Sequence, residues 1–109
     1  MIIGGSMIET IEINIRNGVL ETINALIIFK KNICYINNKK YIITEEFKNS
    51  LLNEILCWKN EYGSDEINID SEEFTIKINT SKCEERYHGK GIFPYNYTYF
   101  KELLGAIYE

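Results

Sequence analysis

The sequence predicts an α+β fold: a mainly antiparallel sheet of five to six strands with two helices packed on one face, in the order β-β-β-α-β-β-α. Three observations carry this expectation. Ile11, Ile13 and Ile15 alternate with Glu12, Asn14 and Arg16, and Phe74, Ile76 and Ile78 alternate with Thr75, Lys77 and Asn79; each period of two marks a strand with one buried face. Between these blocks Phe47, Leu51, Ile55, Trp58 and Tyr62 recur at helical spacing. Near the end Phe100, Leu103, Leu104 and Ile107 do the same.

Taken in order, Ile8 to Asn17 is the first strand, and Asn17-Gly18 supplies two residues that tolerate positive φ and so a tight hairpin. Val19 to Phe29 ends in the β-rich run Ala25-Leu-Ile-Ile-Phe29 and reads as a strand. Lys30 to Asn32 is a turn, Ile33 to Ile36 a partner strand, Asn37 to Lys40 a polar turn, and Tyr41 to Ile43 a short last piece. At Thr44 the period changes. Thr44 suits an N-cap, Glu45 and Glu46 suit the positive end of a helix dipole, Leu52 and Leu56 widen the apolar stripe, and Gly63 is placed to end the helix after Tyr62.

Glu73 to Thr80 is again a strand, and Ser81-Lys82 can turn the chain. Cys83 to His88 returns with Cys83, Glu85 and Tyr87 on one face and Glu84, Arg86 and His88 on the other. The last helix runs from about Tyr95 to Tyr108. Residues 7–109 thus read as one domain. Residues 1–6 read as an appended or disordered lead, because Gly4-Gly5-Ser6 is linker-like and Met7 offers a second start.

Composition narrows the function classes. Hydrophobic residues at 45% and charged residues at 26% are globular values. The net charge of −4 argues against direct nucleic-acid binding, which needs a basic footprint. The longest apolar run, Ala25 to Phe29, is too short to cross a bilayer, and no signal peptide is visible, so no membrane partner and a cytoplasmic location are expected.

The residues that could carry chemistry do not assemble into a reactive set. His88 is the only histidine, and Cys83, five residues earlier on the same strand, points to the opposite face, so a Cys-His pair cannot form. Cys34, Cys57 and Cys83 are widely spaced, which suits buried free thiols and offers no metal-ligand pair. The neighbouring carboxylates Glu72-Glu73 and Glu84-Glu85 face opposite sides. Gly89-Lys90-Gly91 lacks the spacing and the Ser or Thr of a phosphate-cradling P-loop. No catalytic residues, no metal site and no cofactor are expected.

The most distinctive stretch is Tyr87 to Phe100, with six aromatics besides the histidine in fourteen residues. Tyr95 and Tyr99 fall off the face defined by Phe100, Leu103 and Ile107. Tyrosine combines rigid apolar area with a polar handle, so Tyr87, His88, Lys90, Phe93, Tyr95, Tyr97 and Tyr99 form the candidate protein-binding surface.

The segments Ile42-Ile-Thr-Glu-Glu-Phe47, Trp58-Lys-Asn-Glu-Tyr62, Phe74-Thr-Ile-Lys-Ile78 and Tyr87-His-Gly-Lys-Gly-Ile-Phe-Pro-Tyr-Asn-Tyr97 together resemble a group of small uncharacterised bacterial α+β proteins. Their pattern is a hairpin, a helix ending near Trp, a strand, and Tyr-x-Gly-x4-Pro-x-Asn before a final helix. The resemblance spans about Ala25 to Ile107 and departs at Phe74, where that group usually carries Trp. It implies the fold and brings no activity with it.

The expected function is a non-enzymatic protein-binding module. A compact acidic domain, a composition typical of AT-rich genomes, no catalytic set and an aromatic loop suit such a module. A phage or mobile-element inhibitor of a host defence system, such as an anti-CRISPR protein, is expected from how common small stand-alone proteins of that kind are and from no particular residue. One alternative is a small-ligand or nucleotide-binding protein, with His88, Lys90 and the start of the last helix holding an anion. Others are the immunity protein of a toxin pair and a homodimer formed through an unpaired first strand.

Overall fold

A computed structural model describes residues 2–3, 6–17, 21–63 and 72–107. The two alternating runs become its central strands, β2 (Ser6–Asn17) and β7 (Glu72–Thr80), which pair antiparallel along their length with Ile13 opposite Ile76 and Ile15 opposite Phe74. On the other side of β2 lies β3 (Glu21–Ile28), followed by β4 (Ile33–Ile36) and β5 (Lys39–Ile42) in an antiparallel meander. The turn expected at Asn17-Gly18 lies partly outside the described residues. Asn37 and Asn38 form the β4–β5 turn, both with positive φ (50° and 71°), the backbone that a two-residue hairpin requires. The last hairpin strand therefore starts at Lys39, two residues earlier than the sequence suggests.

Beyond β7 lie β8 (Glu84–Lys90), antiparallel to it, and β6 (Glu61–Gly63), which runs parallel to β8 at the sheet edge. A two-residue strand β1 (Ile2–Ile3) pairs back onto Ser6 and Met7. Among the described residues the sheet has eight strands, with the main path β5-β4-β3-β2-β7-β8-β6. The α+β class and the two helices follow expectation. The count of five to six strands and the stated order do not, because β1 and β6 are short strands specified by tertiary pairing rather than by alternation, and β6 makes the mainly antiparallel sheet mixed. The strand expected first, now β2, also cannot serve as a dimerisation edge, since β3 and β7 occupy both of its sides.

Helix α1 (Glu45–Ile55) starts as expected: the Thr44 hydroxyl accepts from Phe47 N at 3.0 Å, with Glu45 and Glu46 in the first turn. Buried Lys48 donates from Nζ to the Phe29 carbonyl at 2.9 Å and to Glu45 Oε1 at 2.8 Å, clipping the helix to the turn before β4. The helix ends at Ile55 rather than near Tyr62. Trp58 leaves the helical path in a turn, donating its own N–H to the Ile55 carbonyl, and Glu61–Gly63 goes to β6. Leu56, expected on the apolar stripe, is exposed as a result.

Helix α2 (Tyr97–Gly105) is shorter than expected at both ends and buries Tyr97, Phe100 and Leu104. Both helices cover the face that carries Ile11, Ile13, Ile27, Phe74 and Ile76, all essentially inaccessible. At its centre Trp58 packs edge-on against Phe74 (ring centroids 5.4 Å apart) and Phe100 (5.1 Å). The other sheet face carries no helix among the described residues. None of the described helices is long and apolar enough to cross a membrane.

Candidate functional site

The stretch Tyr87 to Phe100 separates into an inner and an outer set. Tyr87 and Tyr97 are buried, and Phe93 is half-buried and stacks on Tyr97 with centroids 4.6 Å apart. These three belong to the core, which corrects their assignment to a binding surface: strand alternation turns Tyr87 under the helices, and Tyr97 sits on the sheet-facing side of α2, 5.0 Å from Phe74. Burial pushes up the pKa of both phenols, Tyr97 far more strongly than Tyr87. Tyr95 and Tyr99 point outward and are 92% and 51% exposed.

Tyr95 is presented by a clamped turn. Its neighbours Pro94 and Asn96 are buried, and Tyr97 N donates to the Pro94 carbonyl at 3.1 Å. Asn96 Oδ1 accepts from Trp58 Nε1 at 2.6 Å, while its Nδ2 donates to the Glu54 carbonyl at 3.1 Å and to the Glu54 carboxylate. The backbone on either side of Tyr95 is therefore tied to the end of α1 and to the aromatic core. The Tyr95 hydroxyl stands beside the Cys57 thiol, which raises the phenol pKa. With exposed Leu56 and Cys57 this makes a small apolar patch where α1 ends and α2 begins. Only Cys34 is a buried thiol; Cys57 and Cys83 are exposed because they fall in turns, not inside the helix and strand expected for them.

His88 and Lys90 lie elsewhere. Both alternate with Tyr87 and Gly89 and so face the open side of the sheet, opposite the helices. There His88 Nδ1 is 2.6 Å from Glu61 Oε1, and Nε2 is 2.7 Å from Glu73 Oε2. Glu73 Oε1 accepts from Arg16 Nη2 at 2.7 Å, so a line of alternating charge crosses four strands. A carboxylate against each ring nitrogen requires an N–H on both, which is the imidazolium form. The hydrogen bond to Glu73, helped by Glu61, raises the His88 pKa against the opposing effect of burial, and the same bond lowers that of Glu73.

The structure thus does not bring His88 and Lys90 to the start of α2, and the anion site expected there is not assembled. Nor is Cys83 a nucleophile for His88, since it lies at the far end of β8 in the turn with Thr80. Among the described residues no cluster of three or more metal-ligating side chains occurs. No protein-family model matches the chain, and no curated protein or solved structure matches it either.

Sequence reasoning missed the Glu61–His88–Glu73–Arg16 line. The alternation placed His88, Glu73 and Arg16 on their own strands' polar faces, but only the register of three strand pairs sets them side by side. Glu61 reaches His88 solely because β6 adds to the edge in parallel.

Proposed function

We propose that the protein is a non-enzymatic protein-binding module and that the patch of Tyr95, Tyr99 and Leu56 is its contact surface. One observation carries this reading: Tyr95 is almost wholly exposed although both of its chain neighbours are buried. An aromatic side chain left in water on a fixed backbone loses little conformational freedom on binding, which favours affinity. Tyrosines in that setting are enriched among the residues that dominate interface energy. The four companion aromatics in the same stretch fill the core, so the outward pair is not a by-product of local composition.

The partner is proposed to be another protein, and host defence proteins are the first class to try, in keeping with a small acidic inhibitor. Capture on immobilised protein from a suitable host lysate identifies the partner, and Tyr95→Ala and Tyr99→Ala then test the surface. Tyr95→Ala is expected to weaken binding by about 30-fold or more. Its effect on stability should stay within about 0.5 kcal/mol, as for other exposed substitutions. Unchanged partner binding in both variants would remove the role assigned to this patch.

A further inference from the structure

We propose that the open face of the sheet holds a small organic phosphate, with the phosphate on Lys77 and Arg86 and the uncharged body along Asn14, Asn24 and Tyr35. A groove of about 780 Å³ runs across this face and is lined by all five of these residues. That volume is in the range of small-molecule sites.

The charges at one end of the groove identify the ligand's head. Lys77 and Arg86 sit directly opposite one another in the β7–β8 pair. Like charges so placed destabilise a sheet. Neither is paired with a carboxylate among the described residues. Glu12 also lines the groove and faces Lys77 from β2; its carboxylate accepts from Asn79 Nδ2 at 2.9 Å and keeps its charge, so this end of the groove carries two cations and one anion. A short distance along the same strands every charge of the Arg16–Glu73–His88 line is matched. The sheet therefore matches its charges in one place and leaves an excess of one positive charge in another, in a chain whose net charge is −4. A phosphate held between Lys77 and Arg86 answers that excess, and guanidinium offers it two parallel N–H donors.

The rest of the groove suits a polar, ring-bearing body. The Asn14 amide donates to Asn24 Oδ1, and Asn37 Oδ1 accepts from Asn24 N at 2.9 Å. These bonds fix the amides while leaving Asn14 Oδ1 and Asn24 Nδ2 for hydroxyls or ring heteroatoms. Tyr35 ends the groove beside Leu26, three strand spacings from Lys77, which is roughly 14 Å.

This site is independent of the Tyr95 surface, which lies on the helical side. The test is thermal shift and calorimetric titration at low ionic strength with adenosine monophosphate, ribose 5-phosphate, glucose 6-phosphate and inorganic phosphate. At least one organic phosphate should bind about tenfold or more tightly than inorganic phosphate. Lys77→Gln and Arg86→Gln should each weaken that binding by about tenfold or more. Arg86→Gln should also raise the melting temperature of the ligand-free protein by relieving the repulsion, and Lys77→Gln, which loses the attraction of Glu12 as well, should still unfold in one cooperative transition; both results show that the variants fold. Tyr95→Ala should leave the binding as it is. No binding of any organic phosphate at about 5 mM, equal affinity for inorganic phosphate, or wild-type binding in the two variants would each overturn the proposal.

Discussion

Across β2, β7 and β8, Ile11, Ile13, Ile15, Phe74, Ile76 and Ile78 turn toward the helices and are enclosed, whereas Arg16, Glu73, Lys77, Arg86 and His88 turn the other way and meet solvent. The covered face is held by shape, with aromatic rings 5 to 6 Å apart around Phe74. The open face is held by hydrogen bonds in which water competes. A change of volume is costly on the first face and a change of charge is modest on the second. The second face is therefore where residues can be placed for purposes other than folding.

Phe74→Ala should expose this asymmetry most strongly. It removes the ring that Trp58, Tyr62, Phe93 and Tyr97 all contact, and the expected loss is about 3–5 kcal/mol in urea unfolding. Thr75→Ala, one residue along on the open face, should cost no more than about 0.5 kcal/mol. Equal losses would show that the two faces do not differ as argued. Gly89→Ala comes next, at about 1–3 kcal/mol, because it overfills the same site. Gly89 lies directly opposite Phe74, and a Cβ there would stand 2.8 Å from Phe74 Cζ and 2.9 Å from the Ile92 carbonyl oxygen. Adding Phe74→Leu should recover the part of the loss due to the ring and none of the part due to the fixed carbonyl.

The same contrast explains what the sequence could disclose. Local rules sufficed for Ile11, Ile13 and Ile15, for Phe74, Ile76 and Ile78, and for the Thr44 cap, because alternation and capping are properties of a few consecutive residues. They failed at Trp58, whose apolar spacing continues the α1 stripe although its indole is anchored from a turn by Asn96, the residue just before the other helix. They failed at β6 for the same reason: Glu61–Gly63 has no alternation of its own and is a strand only beside β8. In the candidate surface, aromatic density marked the right stretch but could not sort Tyr95 from Tyr97, since that division depends on which side of α2 meets Phe74. The groove was illegible because Lys77 and Arg86 are nine residues apart and become neighbours only through the β7–β8 register. The Tyr-x-Gly-x4-Pro-x-Asn pattern has a structural account throughout: Tyr87 and Pro94 are buried, Gly89 makes room for Phe74, and Asn96 receives Trp58.

The smallest expected effect tests whether the open face contributes to folding at all. His88 has a folded-state pKa above its ordinary value of 6.5, so its contribution is fully present below about that pH and is lost as pH rises through the raised value. Glu73 has a pKa below its ordinary 4.5, so its contribution is present above that pH and is lost as pH falls through the lowered value. Between the two ordinary values both partners are charged and the Glu61–His88–Glu73 line is intact. The unfolding free energy from urea titrations should therefore be highest at pH about 5 to 6 and should decline above pH 7 by no more than about 1 kcal/mol, the worth of partly exposed pairs. His88→Gln should abolish the alkaline decline, since its amide does not titrate, while leaving the Phe74→Ala loss unchanged. A decline that persists in His88→Gln would place its origin in another group, and the open face would then be energetically silent.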